Sequence, residues 1–236
     1  MILYIIRHGD PDYETDSLTE KGKIQAELVG KRLFEAGIDR VFSSPLGRAR
    51  QTAEPLCRLS GLEYTVEEWT REIDVNRMMT PIPDGEQKSI SLVQNTYFRE
   101  NGDADLSFSR SFECAGVRDS DMRAVCEKIE KDGDAFLERL GYKREGDIYR
   151  IIRENNERVA LFCHGALGRA WISSLLRVPL HIMWASFNYT HTGVTVIEFR
   201  NNANGMTAPK CLSYCDMSHI YSSGAENMIY NNKIKI

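Results

Sequence analysis

Two short apolar runs each deliver a histidine followed by a glycine. Ile2–Ile6 leads into Arg7-His8-Gly9, and Val159–Phe162 leads into Cys163-His164-Gly165. A buried strand that ends in His-Gly puts an imidazole at the rim of a sheet, beside a turn that glycine makes cheaply. Two such strands side by side would bring two imidazoles into one pocket, and Arg7 adds a fixed guanidinium fork. That set suits a phosphoryl group, because guanidinium and imidazole both donate to its oxygens. Arg48, one turn into a predicted helix, can reach the same strand ends, and the helix N-terminus adds partial positive charge. Arg48 also fits as one of several solvated arginines, with Arg50 and Arg58 nearby.

Imidazole is a nucleophile that splits phosphoryl transfer into two easier steps. The attacking nitrogen must be bare, so the other must donate to an acceptor such as a backbone carbonyl. Each histidine taken alone fits a structural role equally well. The departing alkoxide of a phosphomonoester needs an acid. The acidic cluster Glu67, Glu68, Glu72 and Asp74 can supply one, although most of the four fit a solvated loop.

The elements that must position these groups alternate between strand and helix. Met1–Ile6 reads as a buried strand. Thr19 caps a helix to about Ala36, carried by Ile24, Leu28, Val29 and Leu33 and ended by Gly37. Ile38–Phe42 is a short strand. Ser44-Pro45 predicts an N-cap and first helical residue, for a helix that stops at Ser60-Gly61. Leu62–Val66 is a further strand. From about 76 to 156 the chain reads as a mostly helical insertion. It contains an amphipathic helix with Met122, Val125, Cys126, Ile129, Phe136, Leu137 and Leu140 on one face. A short helix is expected at Ile148, Ile151 and Ile152. Then come the strand Val159–Cys163, a helix Ala166–Arg177 that Pro179 prevents from continuing, and strands at Val194–Phe199 and Lys210–Tyr214. The polar tail after Ser222 is expected to be poorly ordered. The resulting expectation is an α/β protein, a three-layer α/β/α sandwich forming a single domain over 1–236.

Composition narrows the function. A hydrophobic fraction of 42% over 236 residues is enough for one sizeable core. A net charge of −4 carries no basic signature for nucleic acid, so an anionic substrate needs a local cluster of Arg and His. No run approaches the roughly 20 apolar residues that span a bilayer. Ile2–Ile6 is too short for a signal-peptide core and has no basic segment before it. A soluble, cytoplasmic protein is expected, with no membrane partner. The six scattered cysteines fit small buried hydrophobes better than a disulfide framework. Cys211, Cys215 and His219 superficially suit zinc, but strand alternation explains the cysteines more simply.

Several segments resemble the histidine phosphatase superfamily, in its phosphoglycerate mutase-like branch. Arg7-His8-Gly9 looks like that family's RHG motif. Leu18-Thr19-Glu20-Lys21-Gly22 with Gln25-Ala26 is similar to its first helix start. The run from Ser44 through Arg48 to Gln51-Thr52-Ala53 resembles its S.L.RA.QTA segment. His164-Gly165 looks like its second His-Gly, and Asp216 with His219 resembles a late motif closing the same core. The resemblance implies a phosphoglycerate mutase-like fold and metal-free phosphoryl transfer through a phosphohistidine at His8. Arg7, Arg48 and His164 would hold the phosphoryl group, and no cofactor is implied. Glu72, in Arg71-Glu72-Ile73-Asp74, would protonate the leaving oxygen and then activate water. The family's usual glycine and tryptophan after that glutamate are replaced here by Val75-Asn76-Arg77.

Family members divide into phosphatases and mutases. Mutases commonly carry Glu or Gln after the RHG glycine and a Trp-Asn pair soon after, where this chain has Asp10-Pro11-Asp12-Tyr13-Glu14. A phosphatase acting on a small-molecule phosphate ester is therefore the leading expectation. A phosphomutase and a non-catalytic phospho-ligand binding protein are the alternatives. Arg77, Arg99, Arg110 and Arg118 are read either as a second anion site or as ordinary surface charge. His181 and His191 have no assigned role, with His191 placed in a loop near the pocket rim. Arg169 is expected to face solvent. The helix from Met122 to Leu140 is expected to pack on its own domain, and the sequence leaves oligomeric state open.

Overall fold

The computed structural model describes residues 1–81, 87–89, 95–100 and 106–223. In chain order the first elements are β1 (Ile2–Arg7), β2 (Pro11–Asp12), β3 (Ser17–Leu18), α1 (Glu20–Glu35), β4 (Arg40–Ser43), α2 (Gly47–Ser60) and β5 (Tyr64–Val66). The middle of the chain holds β6 (Met79–Pro81), β7 (Gln87–Ser89), α3 (Asn95–Glu100), α4 (Met122–Arg139), β8 (Tyr142–Glu145) and β9 (Ile148–Ile151). The last third holds β10 (Arg158–Cys163), α5 (Gly165–Leu176), α6 (Leu180–Ser186), β11 (Val194–Glu198), β12 (Met206–Thr207), β13 (Lys210–Asp216) and α7 (Ser218–Tyr221).

A six-stranded sheet, in the order β13-β11-β1-β10-β4-β5, forms the middle layer. The strands β1, β10, β4 and β5 are parallel, while β11 and β13 join antiparallel at the β1 edge. Both faces are covered, as parallel strands require. Strand alternation sorts the side chains. Leu3, Ile5, Val159, Leu161 and Cys163 share one buried cluster with residues of α4 and α5. Ile6, Ala160 and Phe162 share the other with Val29 and Leu33 of α1 and Ala53 and Leu56 of α2. The expected three-layer sandwich is the observed fold.

Three local expectations are corrected. Ile148–Ile151 is strand β9, not helix. It pairs antiparallel with β8 around Gly146 at φ +63°. Tyr142 and Tyr149 are fully buried from the two strands of this hairpin, so period two wins over a helical reading of three isoleucines. Second, α2 begins at Gly47 rather than at Pro45. Asp16, 31 positions earlier, accepts the Gly47 N–H at 2.7 Å, while the Ser44 hydroxyl accepts from Leu46 N at 3.3 Å. The first turn is thus capped by a distant carboxylate, which local cap rules cannot anticipate. Third, the region called mostly helical also carries the β6–β7 and β8–β9 hairpins.

Within that region, α4 is integral to the sandwich. Its Phe136 ring meets Phe42 of β4 edge-on at 5.0 Å between centroids, and the indole of Trp171 at 6.0 Å. The helix α6, which follows Pro179, was not expected. The tail after Ser222 lies largely outside the described residues.

Two glycines show how closely these layers approach. A Cβ on Gly22 would lie 2.2 Å from the Asp10 carbonyl oxygen, and one on Gly133 would lie 2.3 Å from Trp171 Nε1. Gly22→Ala and Gly133→Ala should each cost about 1–3 kcal/mol in denaturant titrations, because neither rigid neighbour can yield cheaply. Gly22 abuts the loop that follows His8, so Gly22→Ala alone should also shift the His8 ring resonances when spectra are compared well below both melting points.

Candidate active site

The ends of β1 and β10 build the site. Their parallel register sets Arg7 beside Cys163, so the next residues, His8 and His164, leave the sheet at the same level. His8 N–H donates to Cys163 O at 2.9 Å, and the two imidazoles lie 5.2 Å apart at 57°. Both rings are buried. The glycine that follows each one has its own steric reason. A Cβ on Gly9 would meet Gly22 O at 2.7 Å, and a Cβ on Gly165 would meet the Arg7 guanidinium carbon at 3.1 Å.

The tautomer of His8 follows from its partner. His8 Nδ1 lies 2.7 Å from Gly9 O, and a carbonyl only accepts, so Nδ1 carries the proton and Nε2 keeps its lone pair. Burial holds this imidazole well below the usual histidine range, and Arg7 and Arg48 reinforce the effect. His164 is depressed in the same way, by burial first and then by His8, Arg48 and Arg7. His164 Nε2 lies 2.7 Å from the Ser44 hydroxyl, while its Nδ1 is buried without a protein partner.

The two arginines are held from behind. Arg7 Nη1 donates to Tyr189 O, and the Tyr189 hydroxyl donates back to Ile5 O at 3.1 Å. Arg48 Nη1 donates to Asp16 Oδ1, its guanidinium sits 5.3 Å from the Tyr13 ring centre, and its buried Nε has no protein partner. Thr52 links the two halves, accepting from Gly9 N at 3.0 Å and donating to Arg48 O at 2.7 Å. Gln25 and Gln51 complete the frame by accepting from Asp10 N and Leu18 N, each at 2.7 Å.

The four candidate acids separate cleanly. Glu67 is buried and pairs with Arg139 and with Trp69 Nε1, so it is structural. Glu68 pairs with Arg71 on the surface, and Asp74 accepts from Asn76 N. Only Glu72 reaches the β10 end. Its carboxylate accepts from Gly165, Ala166 and Leu167 N–H at 3.0, 3.3 and 3.0 Å, the first turn of α5. It also accepts from its neighbour Ile73 N at 3.0 Å. Because Gly165 packs against Arg7, Glu72 borders the arginine and histidine cluster.

One further imidazole belongs here. His191 is buried, its ring centre is 5.5 Å from that of His8, and its Nδ1 lies 3.4 Å from Asp10 Oδ1. Burial, then Arg7, His8 and Lys21, push it down to about 2. Its sequence signal was weak, since only the antiparallel placement of β11 beside β1 brings the loop before β11 to the end of β1. Arg169 does not simply face solvent. It donates to Gly165 O and Trp184 O at 3.2 and 3.3 Å.

His181 is buried 5.7 Å from the Phe98 ring centre. Arg110 and Arg118 pair with Glu113 and Asp119 at the surface, while Arg77 pairs with Asp121 and lines a cavity shared with Glu72. Asp216 and His219 both meet Arg32 of α1, and His219 Nε2 lies 3.1 Å from the Thr192 hydroxyl, closing the core behind the site. Cys215 Sγ accepts from Thr190 N, and Cys211 Sγ faces Ser213 O. Among the described residues, no three His, Cys, Asp or Glu side chains are grouped to hold a metal ion, and no helix is long and apolar enough to cross a membrane.

The depressed histidines set an acid limit on stability. His219 is held at about 4 by burial and Arg32. An unfolded histidine takes up its proton near 6.5, so the folded state's advantage is complete above that pH. It is lost as pH falls from 6.5 toward 4. Each such histidine contributes a slope of about 1.4 kcal/mol per pH unit across that window. His8, His164 and His191 act with the same sign. Unfolding free energy measured between pH 7 and 5 should fall steeply, and His219→Gln should remove about one proton's worth of that slope.

The chain matches the histidine phosphatase superfamily (branch 1) over residues 3–210. It is 38% identical over 82 residues to the probable phosphoglycerate mutase GpmB of Citrobacter koseri, a match covering 31% of this chain and 38% of that protein. The chain thus aligns with well under half the length of such curated relatives. Among solved structures, it resembles the phosphoserine phosphatase of Entamoeba histolytica in complex with 3-phosphoglyceric acid. The TM-score is 0.60 at 23% identity, covering 93% of this chain and 98% of that one. It also resembles a mycobacterial glucosyl-3-phosphoglycerate phosphatase, with TM-score 0.59 at 19% identity, covering 91% and 98%. At these identities the structural likeness speaks for the fold. The family model spans almost all of the two His-Gly segments and everything between them, and this chain belongs to the histidine phosphatase superfamily.

Proposed function

We propose that the protein is a metal-independent phosphatase that hydrolyses a small-molecule phosphomonoester through a phosphohistidine at His8. The observation that carries this reading is the His8 Nδ1–H to Gly9 O bond, which leaves Nε2 bare among Arg7, Arg48 and His164. In the first step Nε2 attacks phosphorus and the P–O bond to the alcohol breaks. Arg7, Arg48 and the buried Nδ1 of His164 donate to the phosphoryl oxygens, where charge must be held through the transition state. For Nδ1 to carry the proton, the Ser44 hydroxyl donates a hydrogen bond to the lone pair of His164 Nε2. Glu72, which borders this cluster, protonates the departing oxygen. Water then attacks phosphorus and gives a proton to Glu72, the P–Nε2 bond breaks, and inorganic phosphate leaves with the His8 lone pair restored.

Hydrolysis is favoured over the mutase alternative by the hairpin at the pocket mouth. Its Asp16 meets Arg48, its Tyr13 faces the same guanidinium, and Asp10 meets His191. With Asp12 and Glu14 these residues make the segment after Gly9 acidic. A second phosphate on the substrate would lie against like charge there. A cytoplasmic location belongs to the same reading and is supported by six free thiols.

Hydrolysis of an aryl phosphate should persist with excess chelator and fall at least about a thousandfold in His8→Ala, since the covalent route is lost. Folded wild type that turns over no phosphomonoester would instead favour the binding-protein reading. Glu72→Gln should slow alkyl phosphates far more than aryl phosphates, whose leaving groups need less protonation. Equal losses on both would remove Glu72 from the acid role.

A further inference from the structure

The pocket holds one imidazole that this mechanism does not use. His191 lies in the loop before β11, and the next residue, Thr192, donates its N–H to Arg7 O and His8 O at 3.1 and 3.3 Å. That backbone is pinned to the nucleophile's own strand end. The ring stands 5.5 Å from His8 and is inclined to it by only 32°. Asp10, the residue after the RHG motif, faces its Nδ1 at 3.4 Å. The carboxylate is itself held, because its other oxygen accepts the Thr19 hydroxyl at 2.8 Å and its backbone N–H is bound by Gln25. A carboxylate facing Nδ1 favours the Nδ1–H tautomer and leaves a lone pair on Nε2. Contacts of this kind commonly tighten only when substrate arrives.

A bare Nε2 cannot donate to a phosphoryl oxygen, but it can take a proton from one. Phosphomonoesters lose their second proton at about pH 6, so a sizeable fraction arrives as the monoanion. Resting on the phosphoryl-site reading above, we propose that Asp10 and His191 form a proton-holding pair of that site. The arriving monoanion gives its P–O–H proton to His191 Nε2. The O–H electron pair stays on phosphoryl oxygen, a new N–H bond forms, and net charge is unchanged. The resulting imidazolium lies between the Asp10 carboxylate and the phosphoryl dianion and holds both. When inorganic phosphate leaves, the proton leaves with it.

The charged and titratable groups around the ring explain why the switch is coupled to binding. Arg7 and His8 at the end of β1, Lys21 on α1 and burial itself keep it neutral in the open pocket. Asp10 faces the ring's Nδ1, and His219 on α7 reaches Thr192 rather than the ring. A dianion in a poorly solvated pocket adds the opposite charge needed to favour the imidazolium.

Nitrogen NMR of the wild-type chain labelled at its five histidines tests this, with inorganic phosphate as the probe and signals assigned by single His→Gln variants. Free protein should show His191 with one protonated and one bare nitrogen. At saturating phosphate both His191 nitrogens should be protonated, while His8 and His164 also shift. In Asp10→Asn the phosphate Kd should rise about tenfold and His191 should keep its bare nitrogen. Shifts at His8 and His164 with His191 unchanged would overturn this inference and leave the phosphoryl site standing. A His191 already doubly protonated without phosphate would overturn it as well. No shift at any histidine would defeat the phosphoryl site itself, and the pair with it.

Discussion

The parallel pairing of β1 with β10 is the constraint on which the site depends. Their register aligns Arg7 with Cys163, so His8 and His164 emerge next to each other although they are far apart in the chain. A slip of one residue would turn one imidazole to the opposite face of the sheet. The register is held because both strands are buried on both faces, with alternate residues committed to different helical layers. The apolar core therefore sets the spacing of the two imidazoles.

Electrostatics then follow from burial. A pocket lined by two arginines would be costly if its histidines were also charged. Burial and the neighbouring guanidinium groups keep His8 and His164 neutral instead. Neutrality leaves His8 with a lone pair, and the Gly9 carbonyl decides which nitrogen carries it. The same burial makes the fold sensitive to acid, since unfolding releases imidazoles that readily take up protons. Chemistry and acid lability are two consequences of one arrangement.

Carboxylates from elsewhere in the chain complete the helix ends that face the site. Asp16 caps α2 and holds Arg48, and Glu72 caps α5 beside Arg7. A carboxylate at a helix N-terminus typically stabilises it by about 0.3–2 kcal/mol. Each therefore ties local stability to site geometry. The hairpin carrying Asp10 to Asp16 and the turn carrying Glu72 cannot move without unsatisfying backbone donors.

His8, His164, Arg7 and Arg48 were legible in the sequence because their signals are local. An apolar run that ends in His-Gly marks a strand end, and an arginine one turn into a helix marks an anion-facing position. The sandwich was legible for the same reason, through alternation of short apolar runs with amphipathic helices. Glu72 could be named only by resemblance among four carboxylates, since what separates it from Glu67 is a contact with a helix some ninety residues away. His191 had only a weak local signal, a loop before a strand, because the antiparallel strand β11 brings it to β1. The true start of α2 was hidden because its cap comes from Asp16. The β8–β9 hairpin was misread because three isoleucines at mixed spacing fit either period until Tyr142 and Tyr149 find the core. Sequence by itself determined which residues can do chemistry and which segments can be buried. Tertiary structure decided which polar groups meet, because hydrogen bonds between distant segments leave no periodicity in the chain.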